Sequence, residues 1–340
     1  MRFALLLLTL CASPALGIDF PKPATTKETE PLAKAFSASK AAEYLDGVGV
    51  NWTRTQKCIT CHTNMPYLTA RPLLAGDDGW KEVRNFLEKD VESWSNGGKP
   101  RGDTYVVATA FALAFNDAQK SGKLHEMTRA ALDKMWDVQR KTGEWNWLKC
   151  DWPPLEHDDY YGFTLAALAV GYAPGDYLKT DKAKAGVEKL KAYFKATPPP
   201  DLHHTAMLLW ASTKLEGLMT AEEQKKAVAS LKEKQHKDGG WGLPSLGKYN
   251  RRDDAQTPND PAAPSDGYGT GFVTFVLLQA GEKAADTEAA KGVTWIKANQ
   301  RESGRWYTRS LNTDKAHYIT NAGCAFCVLA LNEAGEKIGR

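Results

Sequence analysis

The chain has 340 residues and a formal net charge of +3, because 44 lysine and arginine residues nearly balance 41 acidic residues. With this balance and no basic run, we expect no nucleic-acid partner. The length suits one large domain or two small ones. Six cysteines are too few to make a disulfide framework for a chain of this size.

The N-terminus has the pattern of a secretory signal peptide. Met1-Arg2-Phe3 is followed by an apolar run from Ala4 to Leu10 and by small residues that end at Gly17. The run is too short to span a bilayer as a helix. We therefore expect that residues 1–17 are removed, that the mature chain has no transmembrane segment, and that the protein is periplasmic or secreted. Residues 18–35, rich in Pro, Thr and Lys, are predicted to form an extended leader.

From residue 36 to residue 334 nearly the whole chain has helical periodicity, and the helices come in pairs. The second helix of each pair is apolar almost all round, whereas the first carries Lys and Glu on one face. Buried inner helices and amphipathic outer helices predict an all-α fold, a single (α/α)6 toroid of six helical hairpins with a C-terminal tail at 335–340. The predicted pairs are 36–48 with 61–75, 79–95 with 103–117, 123–140 with 158–171, 180–196 with 201–215, 220–236 with 266–281, and 285–299 with 317–334.

A short motif recurs three times where an outer helix ends and the chain turns towards an inner one. Glutamine stands six positions before tryptophan, and a glycine that can end the helix lies between them. The copies are Gln139…Trp145, Gln235…Trp241 and Gln300…Trp306. Three copies at matching positions indicate an internal repeat. We expect the three tryptophans to be buried at the joints between outer and inner helices.

These repeats resemble the QW motifs of the squalene–hopene cyclase and prenyltransferase superfamily, whose domains are α/α toroids. The resemblance implies the fold over roughly residues 36–334 and says little about the reaction. It also invites a comparison of Glu156-His157-Asp158-Asp159 with the Asp-x-Asp-Asp motif of class II cyclases, in which the middle aspartic acid protonates an alkene. By position the resemblance makes Asp158 the proton donor, while Glu156 stands where that motif has its first aspartic acid.

The stretch Cys58-Ile59-Thr60-Cys61-His62 has the attachment pattern of a c-type haem. The two thiols of such a motif bind one porphyrin, and the adjacent histidine binds its iron. A redox pair of cysteines would have no need of His62, and a zinc tetrad would need a second pair of ligands that the sequence lacks. The sequence therefore predicts covalent haem c held by Cys58, Cys61 and His62.

Polar residues also stand at the starts of the predicted inner helices, where the cavity of such a toroid opens. The candidate catalytic residues there are Asp158, Asp159, Tyr160, Asp266 and Tyr268. Each has a structural alternative, since aspartates at helix starts often cap them and tyrosines often belong to the core. His203 and His204 begin the fourth inner helix and could likewise be packed histidines.

His317 opens the sixth predicted inner helix, at the same end of the toroid as His62. Ring closure places this helix beside the first one, so His317 is predicted to be the sixth ligand of the haem iron or a distal hydrogen-bonding residue. Met65 would approach from the proximal side, because it lies on the helix that follows His62. Cys324 and Cys327 form a second CxxC pair without a following histidine and are predicted to be small buried residues.

These patterns predict a periplasmic monohaem c-type protein that performs redox chemistry on a small apolar or isoprenoid-like molecule in the mouth of the toroid. One alternative is an electron-transfer or haem-sensing module, which needs only a redox partner protein. The other is a class II terpenoid cyclase that uses Asp158. A haem enzyme needs an open or labile sixth position on the iron, whereas an electron carrier needs a closed one.

Overall fold

The computed structural model describes residues 18–76, 78–253, 259–283, 285 and 287–339. The predicted signal peptide, residues 1–17, lies outside this part of the chain. Within the described residues there are twelve α-helices, no β-strand and two isolated β-bridges. The helices are α1 (Ala38–Gln56), α2 (Asn64–Ala70), α3 (Gly79–Ser95), α4 (Asp103–Lys120), α5 (Glu126–Asp137), α6 (Asp159–Tyr172), α7 (Asp181–Ala196), α8 (Leu202–Ser212), α9 (Ala221–Glu233), α10 (Gly267–Gln279), α11 (Thr287–Ala298) and α12 (Ile319–Glu333).

The even-numbered helices form a closed inner ring. Each contacts the next even-numbered helix, and α12 packs against both α10 and α2. In α6 every residue from Tyr160 to Val170 is buried, whereas the outer helix α9 buries only Ala227 and Leu231. A helix that is apolar all round has to be covered on all sides, and the ring supplies that cover. The predicted single toroid of six helical hairpins is confirmed. None of the described helices combines the length and the apolar character needed to cross a membrane.

The first hairpin differs from its predicted bounds at both helices. Helix α1 continues through two glycines to Gln56 instead of ending near residue 48. One of these glycines allows close packing, because a Cβ atom on Gly49 would lie 2.4 Å from the ring of Tyr67. Helix α2 begins at Asn64 rather than at residue 61. The Cys-x-x-Cys-His stretch therefore lies in the turn before the first inner helix.

The three Gln–Trp motifs make the same hydrogen bonds. Each glutamine Nε2 donates to the carbonyl of the motif's own glycine and to a carbonyl at or near the start of a neighbouring outer helix. Each tryptophan Nε1 donates to a carbonyl near the end of the preceding outer helix, and its side chain is buried, as predicted. The glutamine acceptors are Gly143 and Gly186, Gly239 and Glu288, and Gly304 and Ser37, and the tryptophan acceptors are Met135, Leu231 and Ile296.

The third motif closes the ring of outer helices. Nε2 of Gln300 donates to the carbonyl of Ser37 over 3.0 Å, and its Oε1 accepts the N–H of Ser37 over 2.7 Å. This pair joins the end of α11 to the start of α1. Beside it, the buried Arg305 pairs with Glu30 of the leader at 2.9 Å and lies 5.1 Å from the centre of the Tyr44 ring. The leader therefore crosses the seam between the last and the first hairpin.

Replacing Trp241 with alanine is expected to lower the free energy of unfolding by about 3–5 kcal/mol, because the change leaves a large cavity and removes a buried hydrogen bond. Denaturant titration monitored by circular dichroism measures this cost. Trp80→Ala is the matched control, since Trp80 is only half-buried and lies outside the repeats. The control should cost less than half as much, and equal costs would contradict a structural role for the Gln–Trp joint.

Candidate functional site

The inner helices all begin at one end of the toroid, which we call the mouth. Three of them, α6, α8 and α10, are capped by Asp158, Asp201 and Asp266, each of which accepts a backbone N–H from the first turn. A carboxylate in this position satisfies a free amide and faces the positive end of the helix dipole. These acidic side chains lie at the mouth because they cap the inner helices, independently of any role in chemistry.

The Cys-x-x-Cys-His stretch, residues 58–62, lies in this mouth. One side chain, Asn64, shapes its turn, because Oδ1 accepts the N–H of Thr60 and Nδ2 donates to the carbonyl of Cys58, both over 2.8 Å. Cys61 is buried and Cys58 is half-buried. Glu156, from the loop before α6, accepts the N–H of Cys61 over 3.3 Å. The two thiols and the histidine thus belong to one ordered turn rather than to a continuous helix.

His62 is enclosed by aromatic rings. The ring of Tyr318 stacks on it at 5.0 Å and 11°, and the ring of Trp52 meets it edge-on at 5.0 Å. Burial lowers the pKa of His62 to about 3, so the imidazole is neutral at pH 7. A neutral imidazole with one nitrogen free of a proton is the form that binds a metal ion.

A chain of buried hydrogen bonds leads away from His62. Its Nδ1 lies 2.7 Å from Oγ1 of Thr63. Asn321, in the first turn of α12, donates its amide to the same hydroxyl over 3.0 Å. The hydroxyl of Tyr44 in α1 donates to Oδ1 of Asn321 over 2.7 Å. The orientation of His62 is therefore coupled to the contact between the last inner helix and the first hairpin.

The structure places Tyr318 on the ring of His62, and His317 one position away from it in the chain. Nδ1 of His317 accepts the N–H of Ser310 over 3.1 Å. Burial lowers the pKa of His317, so its imidazole is neutral and carries its proton on Nε2. In this state Nε2 of His317 carries a proton and can donate a hydrogen bond, and Nδ1 already accepts one. Neither nitrogen is then free to bind iron.

Asp158 belongs to a partly buried cluster of charges around His204. Its Oδ2 lies 2.9 Å from Nε2 of His204, and Nδ1 of the same histidine lies 2.6 Å from Oδ1 of Asp201. Tyr249, from the loop before α10, donates its hydroxyl to Oδ2 of Asp201 over 2.8 Å. Burial opposes the charge on His204, but the two carboxylates outweigh it and raise its pKa to about 9. An imidazolium between two carboxylates therefore ties α6, α8 and this loop together.

This cluster disfavours the role of proton donor for Asp158. Burial alone would raise the pKa of Asp158, yet the contact with His204 outweighs it and lowers the pKa. The carboxyl group is therefore ionised at neutral pH, whereas an acid catalyst has to be protonated. Its neighbour Asp159 points towards solvent and pairs with Lys149 at 3.0 Å. Tyr160 is buried against Phe194, with ring centres 5.4 Å apart.

Asp266 and Tyr268 lie deeper in the mouth. Burial raises the pKa of Asp266 to about 6, although its carboxylate accepts the N–H groups of Gly269 and Leu243 and the hydroxyl of Thr308. The hydroxyl of Tyr268 lies 2.9 Å from Nε2 of His203. The structure thus brings Tyr268 next to the histidines of α8. Asp266 caps α10 and accepts hydrogen bonds from the adjoining turns.

The centre of the ring, below the mouth, is filled by aromatic side chains. The ring of Trp210 lies 5.8 Å from that of Phe111 and 5.1 Å from that of Phe275. The cavity between Cys61, Trp210 and their neighbours has a volume of about 10 Å³. That is room for about one water molecule. An isoprenoid substrate has no space there in this structure.

Several residues of the site were not among the sequence candidates, and Asp201, Thr63 and Tyr249 are examples. Asp201 stands directly before an inner helix, and its capping pattern could have identified it. Thr63 and Tyr249 carry no such local signal. Their partners, Asn321 and Asp201, lie 258 and 48 positions away in the chain. Only the folded ring brings these pairs together.

Comparisons with known proteins agree with this architecture. Residues 194–332 match the squalene-hopene cyclase C-terminal domain. The chain is an α/α toroid that is similar to this domain over the matched residues. The matched stretch runs from the end of α7 into α12 and contains the second and third Gln–Trp motifs. A comparison with curated proteins found no match.

Two solved structures illustrate the similarity. A polysaccharide lyase has a TM-score of 0.50 and 12% identity, and the match covers 87% of this chain and 96% of that chain. The type II terpene cyclase MstE from Scytonema, in its apo form, has a TM-score of 0.47 and 13% identity, and the match covers 80% of this chain and 87% of that chain. At such identities the similarity concerns the fold alone.

The charge cluster around His204 should make stability depend on pH. A histidine whose pKa is raised on folding contributes stability that is fully present below its ordinary pKa of about 6.5 and is lost as pH rises through about 9. We expect the free energy of unfolding to fall by about 2–3 kcal/mol between pH 6.5 and pH 9.5 for this reason. Urea titrations in chelator-containing buffer, where only protons compete for His204, measure the change. His204→Gln should lack this component, and an equal loss in that variant would contradict the assignment.

Proposed function

We propose that the protein is an exported monohaem c-type protein, in which Cys58 and Cys61 hold haem c at the mouth of the toroid and His62 ligates its iron. The observation that carries this proposal is the Cys-x-x-Cys-His turn at the start of an inner helix, with a buried, neutral histidine. The haem would supply one-electron redox chemistry at the mouth. The signal-peptide pattern of residues 1–17 supports a periplasmic or secreted location.

The residues around the motif fit such a group. His62 directs Nδ1 to Thr63, which leaves Nε2 as the nitrogen for iron. Within the described part of the chain, Nε1 of Trp52 is buried without a hydrogen-bond partner. A cavity of about 370 Å³ is bordered by Thr63 and by Trp52 and Tyr318, whose rings contact His62. Aromatic walls with one unused donor suit a flat apolar group that carries polar edges.

Thr63 and Asn321 would position the histidine. When Nε2 binds a metal, Nδ1 carries the remaining proton and needs an acceptor, and a threonine hydroxyl can accept two hydrogen bonds. Thr63 would then accept from both His62 and Asn321. Such an outer partner sets the ring orientation and the electron density of a metal-bound histidine. Because Asn321 already uses part of the hydroxyl's acceptor capacity, the bond to His62 is weaker than one to a carboxylate.

The same cavity would admit a small apolar molecule close to the haem, and redox chemistry on such a ligand is the activity we favour. Electron transfer to a redox partner protein is the alternative. The optical spectrum of the ferric protein distinguishes them, since a high-spin iron has an open or labile sixth position and a low-spin iron has two strong protein ligands. Carbon monoxide binding to the ferrous protein provides a second measurement of the same property.

A class II terpenoid cyclase is the second candidate, because residues 194–332 match a cyclase domain. The ionised Asp158 and the filled centre of the ring weigh against it. Incubation with squalene and with polyprenyl substrates tests this candidate. We expect no cyclised product. Product that disappears in the Asp158→Asn variant would establish the cyclase instead.

Haem attachment is the first test of the proposal. Protein produced together with a cytochrome c maturation system should keep its haem through acid–acetone extraction, because thioether bonds survive this treatment. Cys58→Ala and Cys61→Ala should each leave at most one thioether, which shifts the pyridine haemochrome band. Cys150→Ala is the matched control and should keep both bonds. Complete loss of haem from the unmodified chain would end the proposal.

Thr63 should affect the reduction potential of the haem. Thr63→Val removes the acceptor for Nδ1, which makes His62 a poorer electron donor to iron and should raise the midpoint potential. Redox titration of the purified protein measures this shift. Thr63→Ser keeps the hydroxyl and should stay within error of the unmodified protein. Equal shifts for valine and serine would show that packing, rather than the hydrogen bond, is responsible.

A further inference from the structure

We propose that Asp201, His203 and His204, at the start of α8, form a binding site for a divalent transition metal ion of the zinc type. Each of the three residues offers one ligand atom, and these atoms lie within 4.8 Å of one another. The two histidine side chains are buried and the aspartate is partly exposed. Two imidazoles and one carboxylate are a common ligand set for zinc.

One buried atom at this site that has no hydrogen-bond partner among the described residues is Nδ1 of His203. The side chain of His203 is 0% exposed, and Nδ1 has no hydrogen-bond partner among the described residues. A buried polar atom without a partner costs about 1–3 kcal/mol, so native proteins rarely leave one. The charge cluster of Asp158, His204 and Asp201 does not involve this atom. A metal ion bound between the three ligands would supply its missing partner.

Each ligand residue already has an outer partner on its far atom. Nε2 of His203 lies 2.9 Å from the hydroxyl of Tyr268. Nε2 of His204 lies 2.9 Å from Oδ2 of Asp158, at ion-pair distance but without hydrogen-bond geometry. Oδ2 of Asp201 accepts the hydroxyl of Tyr249. In metal sites such partners fix the tautomer of each histidine and the orientation of each carboxylate. The arrangement leaves Nδ1 of both histidines and Oδ1 of the aspartate as the ligand atoms.

The site needs a small adjustment to hold the ion. Nδ1 of His204 now lies 2.6 Å from Oδ1 of Asp201, as in a hydrogen bond. Ligand bonds of about 2.0–2.1 Å in a tetrahedral zinc site separate the ligand atoms by about 3.3 Å. This pair would therefore move apart by about 0.7 Å, and ligand atoms at the outer limit of 4.8 Å would approach one another by about 1.5 Å. The side chains of Asp201 and Asp158 are 17% and 30% exposed, which gives the ion a route from the mouth.

Binding would exchange a proton for the metal. Nδ1 of His204 and Oδ1 of Asp201 lie 2.6 Å apart, and such a contact needs a proton between the two atoms. The metal would take the place of this proton, which leaves to solvent. Affinity should therefore rise with pH, and each bound ion should release close to one proton at neutral pH. Three protein ligands also leave the fourth position of a tetrahedral ion for water or a substrate.

The test is zinc binding to the full mature chain after treatment with a chelator. The thiols of Cys58 and Cys61 would also bind zinc, so we specify the haem-loaded protein and, in parallel, the Cys58→Ser/Cys61→Ser double variant, which tests the site even if haem attachment fails. We expect about one equivalent of zinc by mass spectrometric metal analysis. Isothermal titration in buffers of different ionisation enthalpy should show the released proton.

Variants connect the binding to the named residues. His203→Gln and Asp201→Asn should each weaken zinc binding at least about 100-fold, and Asp158→Asn, which removes only an outer partner, about 10–100-fold. His125→Gln, at an exposed histidine, is the matched control and should bind like the unmodified chain. Less than about 0.2 equivalents of zinc on the unmodified chain would overturn the proposal. So would equal affinity in the His203→Gln and Asp201→Asn variants.

Discussion

The structure depends on the closure of its inner ring. Six helices that are apolar nearly all round cannot face water, and α12 has to pack between α10 and α2 before every one of them is covered. In the outer layer, two hydrogen bonds between Gln300 and Ser37 join the end of α11 to the start of α1 and close the ring there. Arg305 and the leader reinforce this seam from outside.

Closure of the ring also creates the mouth. Because each inner helix follows an outer one in the same sense, all inner helices begin at one end, and their positive dipole ends face a common space. The aspartate caps and the Cys-x-x-Cys-His turn both lie at this space. The residues near His62 and those near His204 form two neighbouring groups. The first group joins α1, α2 and α12, and the second joins α6, α8 and α10.

Two physical features of the ring bear on the proposed functions. Trp210 and its aromatic neighbours fill the centre of the ring, and the charge of His204 keeps Asp158 ionised. A cyclase needs an enclosed apolar cavity and a protonated acid. A cavity of about 370 Å³ is bordered by Trp52 and Tyr318, the two rings that contact His62.

The sequence by itself determined the features that are written in short stretches of the chain. The Cys58–His62 motif, the three Gln–Trp repeats and the apolar inner helices depend on neighbours within a few turns, so their patterns predicted the toroid and the position of the mouth. Tertiary structure alone decided the pairs that are distant in sequence, such as Thr63 with Asn321 and Asp158 with His204. It also decided that Gly49 permits contact with Tyr67 instead of ending α1. The ionisation of a side chain depends on which charges and apolar groups surround it, and only the closed ring specifies those surroundings.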